Sequence, residues 1–305
     1  MIKYIAKRLA MSLLTLFLLI CLIFAMMHAI PGGPFTTDRS VTAAVAEALN
    51  EKYHLNEPVM VQFGNYLRDL AHGDLGLSYQ YRGMSINEFI AGGFPVSGKL
   101  GLVTIFFVLL TSTPMGIVAA LKNGRWQDMA VMTIATLGIT IPSFVIATML
   151  MFIFSYQLNI LPTFGLASWK GYILPMIALG GYHLAFLARL MRSSLLEAMG
   201  QDYIRTARSK GISEVKTVVR HGLRNALIPV ITVLGPTTAN LITGSFVIES
   251  IFALPGLGVH FVSSISNRDY SAIMGLTIFY AVFLIAVVFL VDIFYCLIDP
   301  RIRYD

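Results

Sequence analysis

Charge is what this sequence has least of. Asp, Glu, Lys and Arg supply 12% of its 305 residues, against roughly 25% in an ordinary soluble domain, while 56% are hydrophobic. A chain so poor in charge is a membrane protein, and no polar stretch is long enough to build a second, soluble domain. Cysteine is nearly absent. Cys21 and Cys296 both lie inside apolar runs, as small core residues, which excludes a disulfide framework.

The motifs of hydrolytic and redox enzymes are missing as well. There is no HExxH, no GxSxG and no CxxC, and the histidines are scattered without ligand spacing, so no metal site is expected. One stretch imitates a phosphate-binding loop. GFPVSGK, residues 93–99, fits GxxxxGK, but Leu100 stands where a Ser or Thr would hold magnesium, Pro95 interrupts the loop and no strand precedes it. It reads as a loop entering the second span, and the chain is expected to carry no ATPase site. Ionisable residues at mid-membrane, which ion-coupled transporters need, are also scarce. His28 and Asp292 lie toward the ends of apolar runs, and Glu249 near the outer end of another. Uphill transport by this chain would draw its energy from another protein.

What is present is apolar length. A helix needs roughly 20 apolar residues to cross a bilayer, and six runs qualify, near residues 9–31, 100–121, 129–157, 172–191, 226–252 and 271–297. Backbone polar groups in lipid must be satisfied within each segment, so the runs are helices. The first follows Lys3, Lys7 and Arg8 as a signal peptide would, but its apolar length exceeds a signal's h-region of about 7–15 residues, and it is expected to stay as an uncleaved span.

Lys and Arg placement orients the spans. Basic residues gather at the amino terminus, at Lys122 and Arg125, between Arg189 and Arg224, and at Arg301 and Arg303. With six spans these four places share one face, so both termini are expected in the cytoplasm. The opposite face takes residues 32–98, where acids outnumber basic residues, together with 158–171 and 253–270. Within the large outer segment VTAAVAEALNEKY and MVQFGNYLRDLA have helical spacing, separated by Pro58, and Gly73 closes the second.

The stretch DYIRTARSKGISEVKTVVRHGLRNALIPV, residues 202–230, is too structured for a loop that only fixes topology. Asp202 is a candidate N-cap, YIRTARSK reads as a short helix, Gly211 is placed to close it with positive φ, and Ser213 is a candidate cap of a second helix, EVKTVVRHGLRNAL. Val215, Val218, Val219 and Gly222 are expected on one face of that helix, with Lys216, Arg220 and Arg224 on or beside another. The small residues Thr206, Ala207 and Ser209 would let another protein approach closely.

The pattern DYIRTARSKG followed by RHGLRNALIPV resembles the EAA loop of type I importer permeases of the ABC superfamily, with Ala207 and Gly211 at the family's marker positions. Arg205 and Thr206 replace the generic Glu and Ala, and the spacing to Pro229 is longer, departures shared by peptide and nickel permeases. The amino-terminal RLAMSLLTLFLLICLIFAMMHAIPGGPF, then HGDLGLSY, FVIESIFALPGLG, NRDY and the terminal DPRIRYD are similar to the B-type subunits of oligopeptide and dipeptide permeases, so the resemblance covers essentially the whole chain.

It implies an all-α integral membrane protein with six transmembrane helices of the type I permease fold and a small helical outer segment after the first span. Residues 1–95 would form the first span and outer segment, and 96–305 the five-helix transmembrane domain, with the EAA loop at about 197–229. The implied function is the permease subunit of an ATP-driven peptide importer in a bacterial cytoplasmic membrane. Its partners would be a second permease, two ATPase subunits that bind ATP and magnesium, and an extracytoplasmic binding protein. The ATPases would dock on Asp202, Arg205, Thr206, Ala207, Arg208, Lys210, Gly211 and Ser213. Polar positions of runs three to five, Ser143, Thr238, Asn240 and Thr243, are candidates to line the solute path, although residues of this kind more often serve helix packing. A nickel or glutathione permease of the same family stays open, as does, at greater distance, an ion-coupled transporter.

Overall fold

The computed structural model describes residues 2–30 and 47–298, apart from 49, 52, 54, 82, 167 and 245. The helix expected over VTAAVAEALNEKY falls largely, and the DPRIRYD tail wholly, outside the described residues. Among these the chain is helical, with one isolated bridge between Leu77 and Ser85 in place of any strand.

The helices are α1 (Ile2–Ala29), α2 (Val59–Ala71), α3 (Ile86–Leu121), α4 (Trp126–Thr140) and α5 (Ser143–Leu150), which runs on as a π-helix over Met151–Gln157. A 3-10 turn (Trp169–Tyr172) leads into α6 (Ile173–Met199), followed by α7 (Asp202–Ser209) and α8 (Glu214–Thr217). A π turn (Val218–Gly222) joins α8 to α9 (Leu223–Thr243), and α10 (Phe246–Ile251), α11 (Leu257–Ser266) and α12 (Tyr270–Ile298) complete the order. Among the described residues five helical stretches are long and apolar enough to cross a membrane, and a sixth is present if the pair α4 and α5, bent by 107°, is one broken span.

Two departures from the sequence reading have local causes. The second span starts well before residue 100, because SINE is a capping box: Ser85 Oγ accepts from the Glu88 amide at 3.2 Å and Glu88 Oε2 from the Ser85 amide at 3.0 Å. The helix it starts runs through GFPVSGK without a loop. A Cβ on Gly93 would lie 2.9 Å from the Leu257 amide nitrogen, so this glycine serves close packing and not a turn. The third run is interrupted at Ile141, extended at φ −82° and ψ 123°, and Pro142, as the restriction on a residue before proline requires.

By internal contacts the chain forms two compact units, which among the described residues are those up to Val96 with Gly256–Phe289, and Ser97–Pro255 with the residues from Leu290 to Ile298. The first is built on Ile86, Phe89, Leu257, Ala272 and Leu276. In the second, α3 turns Leu100, Thr104, Val108 and Ser112 inward at every fourth position. Glycines let the helices close on one another. Gly180 of α6 meets Val108 and Thr104 of α3, a Cβ on Gly116 would lie 2.6 Å from that of Met191, and one on Gly101 would overlap the Leu241 and Ile242 backbone of α9. Lipid offers no hydrophobic drive between helices, so such small-residue contacts supply the dispersion that joins them.

Candidate functional site

The basic stretch is a helical hairpin seated on the end of α6. Its first helix has Gln201, not Asp202, at the N-cap position, and no side chain caps it. Asp202 is instead the first helical residue, where its carboxylate favours the positive helix end. The side chains of Asp202 and Arg205 are 95% and 77% exposed and pair at 3.5 Å. Ser213 does occupy the N-cap position of α8, yet its side chain makes no capping bond; the Ser213 carbonyl accepts from the Thr217 amide at 2.9 Å.

Between the helices Gly211 lies at φ +74°. Lys210 is at the C-cap position of α7, and the amides of Lys210, Gly211 and Ile212 reach the carbonyls of Thr206, Arg208 and Ala207. These bonds satisfy carbonyls that the helix end leaves free. Across the turn Arg208 grips Glu214 through two nitrogens, at 2.6 and 3.1 Å, a bidentate contact that fixes the angle of the hairpin.

Ile204 and Ala207 face inward and are buried, as are Thr217, Val218 and Gly222. A Cβ on Gly222 would lie 2.8 Å from the Met199 sulfur, which sets how closely the second helix lies on α6. Two sequence expectations are corrected here. Ala207 packs within the subunit and offers no outward gap, while Thr206 and Ser209 stay exposed with hydroxyls bonded back to the carbonyls of Asp202 and Arg205. Val215 and Val219 do not share the buried face of Val218 and Gly222: they are 76% and 58% exposed. Val219 lies inside the π turn, where residues are spaced wider than 3.6 per turn, whereas Val215 precedes that turn in α8. The outer surface of the hairpin is thus Tyr203, Arg205, Thr206, Ser209, Lys210, Val215, Lys216, Val219, Arg220 and Arg224.

The four polar positions proposed for the path lie on two helices. Ser143 opens α5 after Pro142 and is part-buried, whereas Thr238, Asn240 and Thr243 share the end of α9. Thr243 donates to its own helix, at the carbonyls of Ala239 and Asn240. A groove of about 560 Å³ in the same unit is lined instead by Thr148, Met151, Phe152, Ser155, Tyr156, Asn159 and Thr163. Its π-helical wall, irregular where a regular span was expected, carried no sequence signal.

In the other unit two of the quoted motifs meet. Asp269, in NRDY, is fully buried. Its carboxylate caps α12 by accepting from the Ala272 amide at 3.2 Å, and also takes the Ser78 hydroxyl and, at 3.1 Å, the Tyr79 amide, both from HGDLGLSY. Ser78 Oγ in turn accepts from the amides of Gln80 and Tyr81. Burial first, then the nearby Asp269 charge and Tyr53, pushes the Tyr79 hydroxyl up to about 12, so it stays neutral. One carboxylate therefore ties the outer segment to the start of the last span.

Long apolar helices joined through small residues, with a glycine-closed hairpin on α6, mark a multi-pass membrane protein. Residues 112–304 match the family described as binding-protein-dependent transport system inner membrane component, more than half of the chain. The chain belongs to that family. It is 45% identical over 306 residues to the dipeptide transport system permease protein DppB of Bacillus subtilis, covering 99% of this chain and 98% of that protein. It is 43% identical over 309 residues to the oligopeptide transport system permease protein OppB of Escherichia coli K12, covering both chains fully, and 45% identical to its namesake in Haemophilus influenzae. Among solved structures, an amino acid ABC transporter with histidines superposes with a TM-score of 0.52 over 68% of this chain and 92% of that one; at 17% identity this speaks for the fold alone.

Proposed function

We propose that this chain is a permease subunit of an ATP-driven importer of peptides, working in a bacterial cytoplasmic membrane beside a second, related permease. The similarity at 43–45% identity along the whole chain to permeases of dipeptide and oligopeptide systems carries the reading. ATP and magnesium would be held by two separate ATPase subunits docked on the α7–α8 hairpin, and a binding protein on the outer face would deliver the peptide. Residues 1–95 would serve as first span and outer segment, and 96–305 as the transporting domain. ATP-driven closure of the ATPases would draw the hairpins together, and a hairpin braced by Arg208–Glu214 and seated on α6 is stiff enough to pass that movement to the spans.

Reconstitution tests it. Vesicles holding this chain, a second permease and two ATPase subunits, with the loaded binding protein outside, should take up labelled di- or oligopeptide only with ATP inside. Uptake of nickel or glutathione in place of peptide would overturn the substrate, and uptake driven by an ion gradient alone would overturn the energy source.

Orientation has its own test. His72 and Ser209 are both exposed, and the Lys/Arg bias places them on opposite faces. A cysteine at His72 should react with an impermeant thiol reagent added to intact cells stripped of any outer barrier, and one at Ser209 only after lysis. The reverse pattern would put the hairpin outside and remove the docking proposal.

A further inference from the structure

Two arginines that look like topogenic charges in the sequence are spent inside the subunit. Arg192, near the end of α6, forks onto Asp128 in the first turn of α4, its Nε donating to Oδ1 at 2.6 Å and its Nη2 to Oδ2 at 2.8 Å. Nη2 also donates to Asn123 Oδ1 at 2.9 Å, and Asp128 Oδ2 accepts from the Gly124 amide at 2.9 Å. The Asp128 side chain is only 6% exposed and that of Arg192 24%. On the same two helices Arg189 donates to Thr136 Oγ1 at 2.5 Å, and a Cβ on Gly138 would lie 3.1 Å from that of Ala185. Fixing topology needs a positive charge and nothing more. A planar guanidinium satisfied by three side-chain oxygens fixes an orientation.

The two helices lead to different places. α6 passes through Gly200 and Gln201 directly into α7, the first helix of the hairpin, and α4 leads to the break at Ile141–Pro142 and so to α5. We propose that the Arg192–Asp128 fork is the strut that hands movement of the docked hairpin to the broken third span. Arg192 and Asp128 are positioning residues: they make the 122–125 turn and the α7–α8 hairpin move as one body. The inference rests on the docking reading of the hairpin.

Lys122 and Lys216 are exposed markers of the turn and of the hairpin. The test places spin labels at these positions, with Cys21 and Cys296 replaced by serine, in the full complex in lipid discs, nucleotide-free and trapped with ADP and vanadate. In the parent the distance distribution should be the same in both states. In Asp128→Asn, which keeps the shape but not the charge, the trapped state should broaden or shift, and peptide uptake per ATP hydrolysed should fall about tenfold. Arg192→Lys, which keeps the charge but loses the fork, should change both in the same direction by less. A parent distance that itself changes between states, or an Asp128→Asn complex that behaves as the parent, overturns the strut. Failure of both variants to accumulate also overturns it, since the fork would then hold the fold and not its motion. The docking reading is judged separately by Gly211→Val: if that variant is silent the hairpin reading fails, and if it alone is impaired only the strut does.

Discussion

Gly101→Val is expected to abolish accumulation of the folded subunit. Gly101 lies on the buried stripe of α3, where a Cβ would overlap the Leu241 carbonyl and the Ile242 Cα of α9. Both are backbone atoms, so no side-chain rotation relieves the overlap, and the two helices must separate along their contact. Overpacking a well-filled interior costs typically about 1–3 kcal/mol, and this site lies at the upper end because the neighbours cannot yield. Gly64→Val on α2 is the control, since nothing lies within 4 Å of its added Cβ. Abundance and thermal stability of a fluorescent fusion, followed by size-exclusion chromatography, decide the matter. Gly101→Val with the profile of the parent would show that α3 and α9 do not pack as described.

Gly211→Val is expected to spare the fold and stop transport. An added Cβ at Gly211 meets no atom within 4 Å, so the whole effect comes from φ +74°, which costs a side-chain-bearing residue roughly 1–2 kcal/mol. That is a factor of roughly 5–30 in the population of the turn, enough to misplace the hairpin. It is small beside the apolar burial of the spans, so abundance should hold while peptide uptake in reconstituted vesicles falls about tenfold. Gly211→Asn should transport nearly as the parent, because asparagine tolerates the left-handed region, and Lys216→Gln, an exposed charge, should do little. Transport by Gly211→Val at the parental rate would leave the hairpin as a mere connecting loop.

Much of this was legible in the residues. Apolar length set the spans, the Lys and Arg bias set an expected orientation, and Gly211 was assigned its positive φ from its place after a short helix. The motifs HGDLGLSY and NRDY were visible as strings, but their meeting at Asp269 was not, since Tyr79 and Asp269 stand 190 positions apart with no signal of contact. The capping box at Ser85 and Glu88 is present in the sequence, but the glycines and proline that follow it have the composition of a loop.

By itself, then, the sequence determined which stretches are apolar enough to cross a membrane and that a basic helical hairpin precedes α9; hydropathy, charge and turn chemistry are properties of neighbouring residues and act locally. Tertiary structure alone decided which face of that hairpin is buried, that Arg192 serves Asp128 and Asn123 and not solvent, and that the glycines of α3 and α6 are contact points. Each of these depends on what another helix places opposite. The π turn at Val218–Gly222 rotates faces by an amount no helical repeat contains, and a charge is committed to a partner only when the fold brings one within reach.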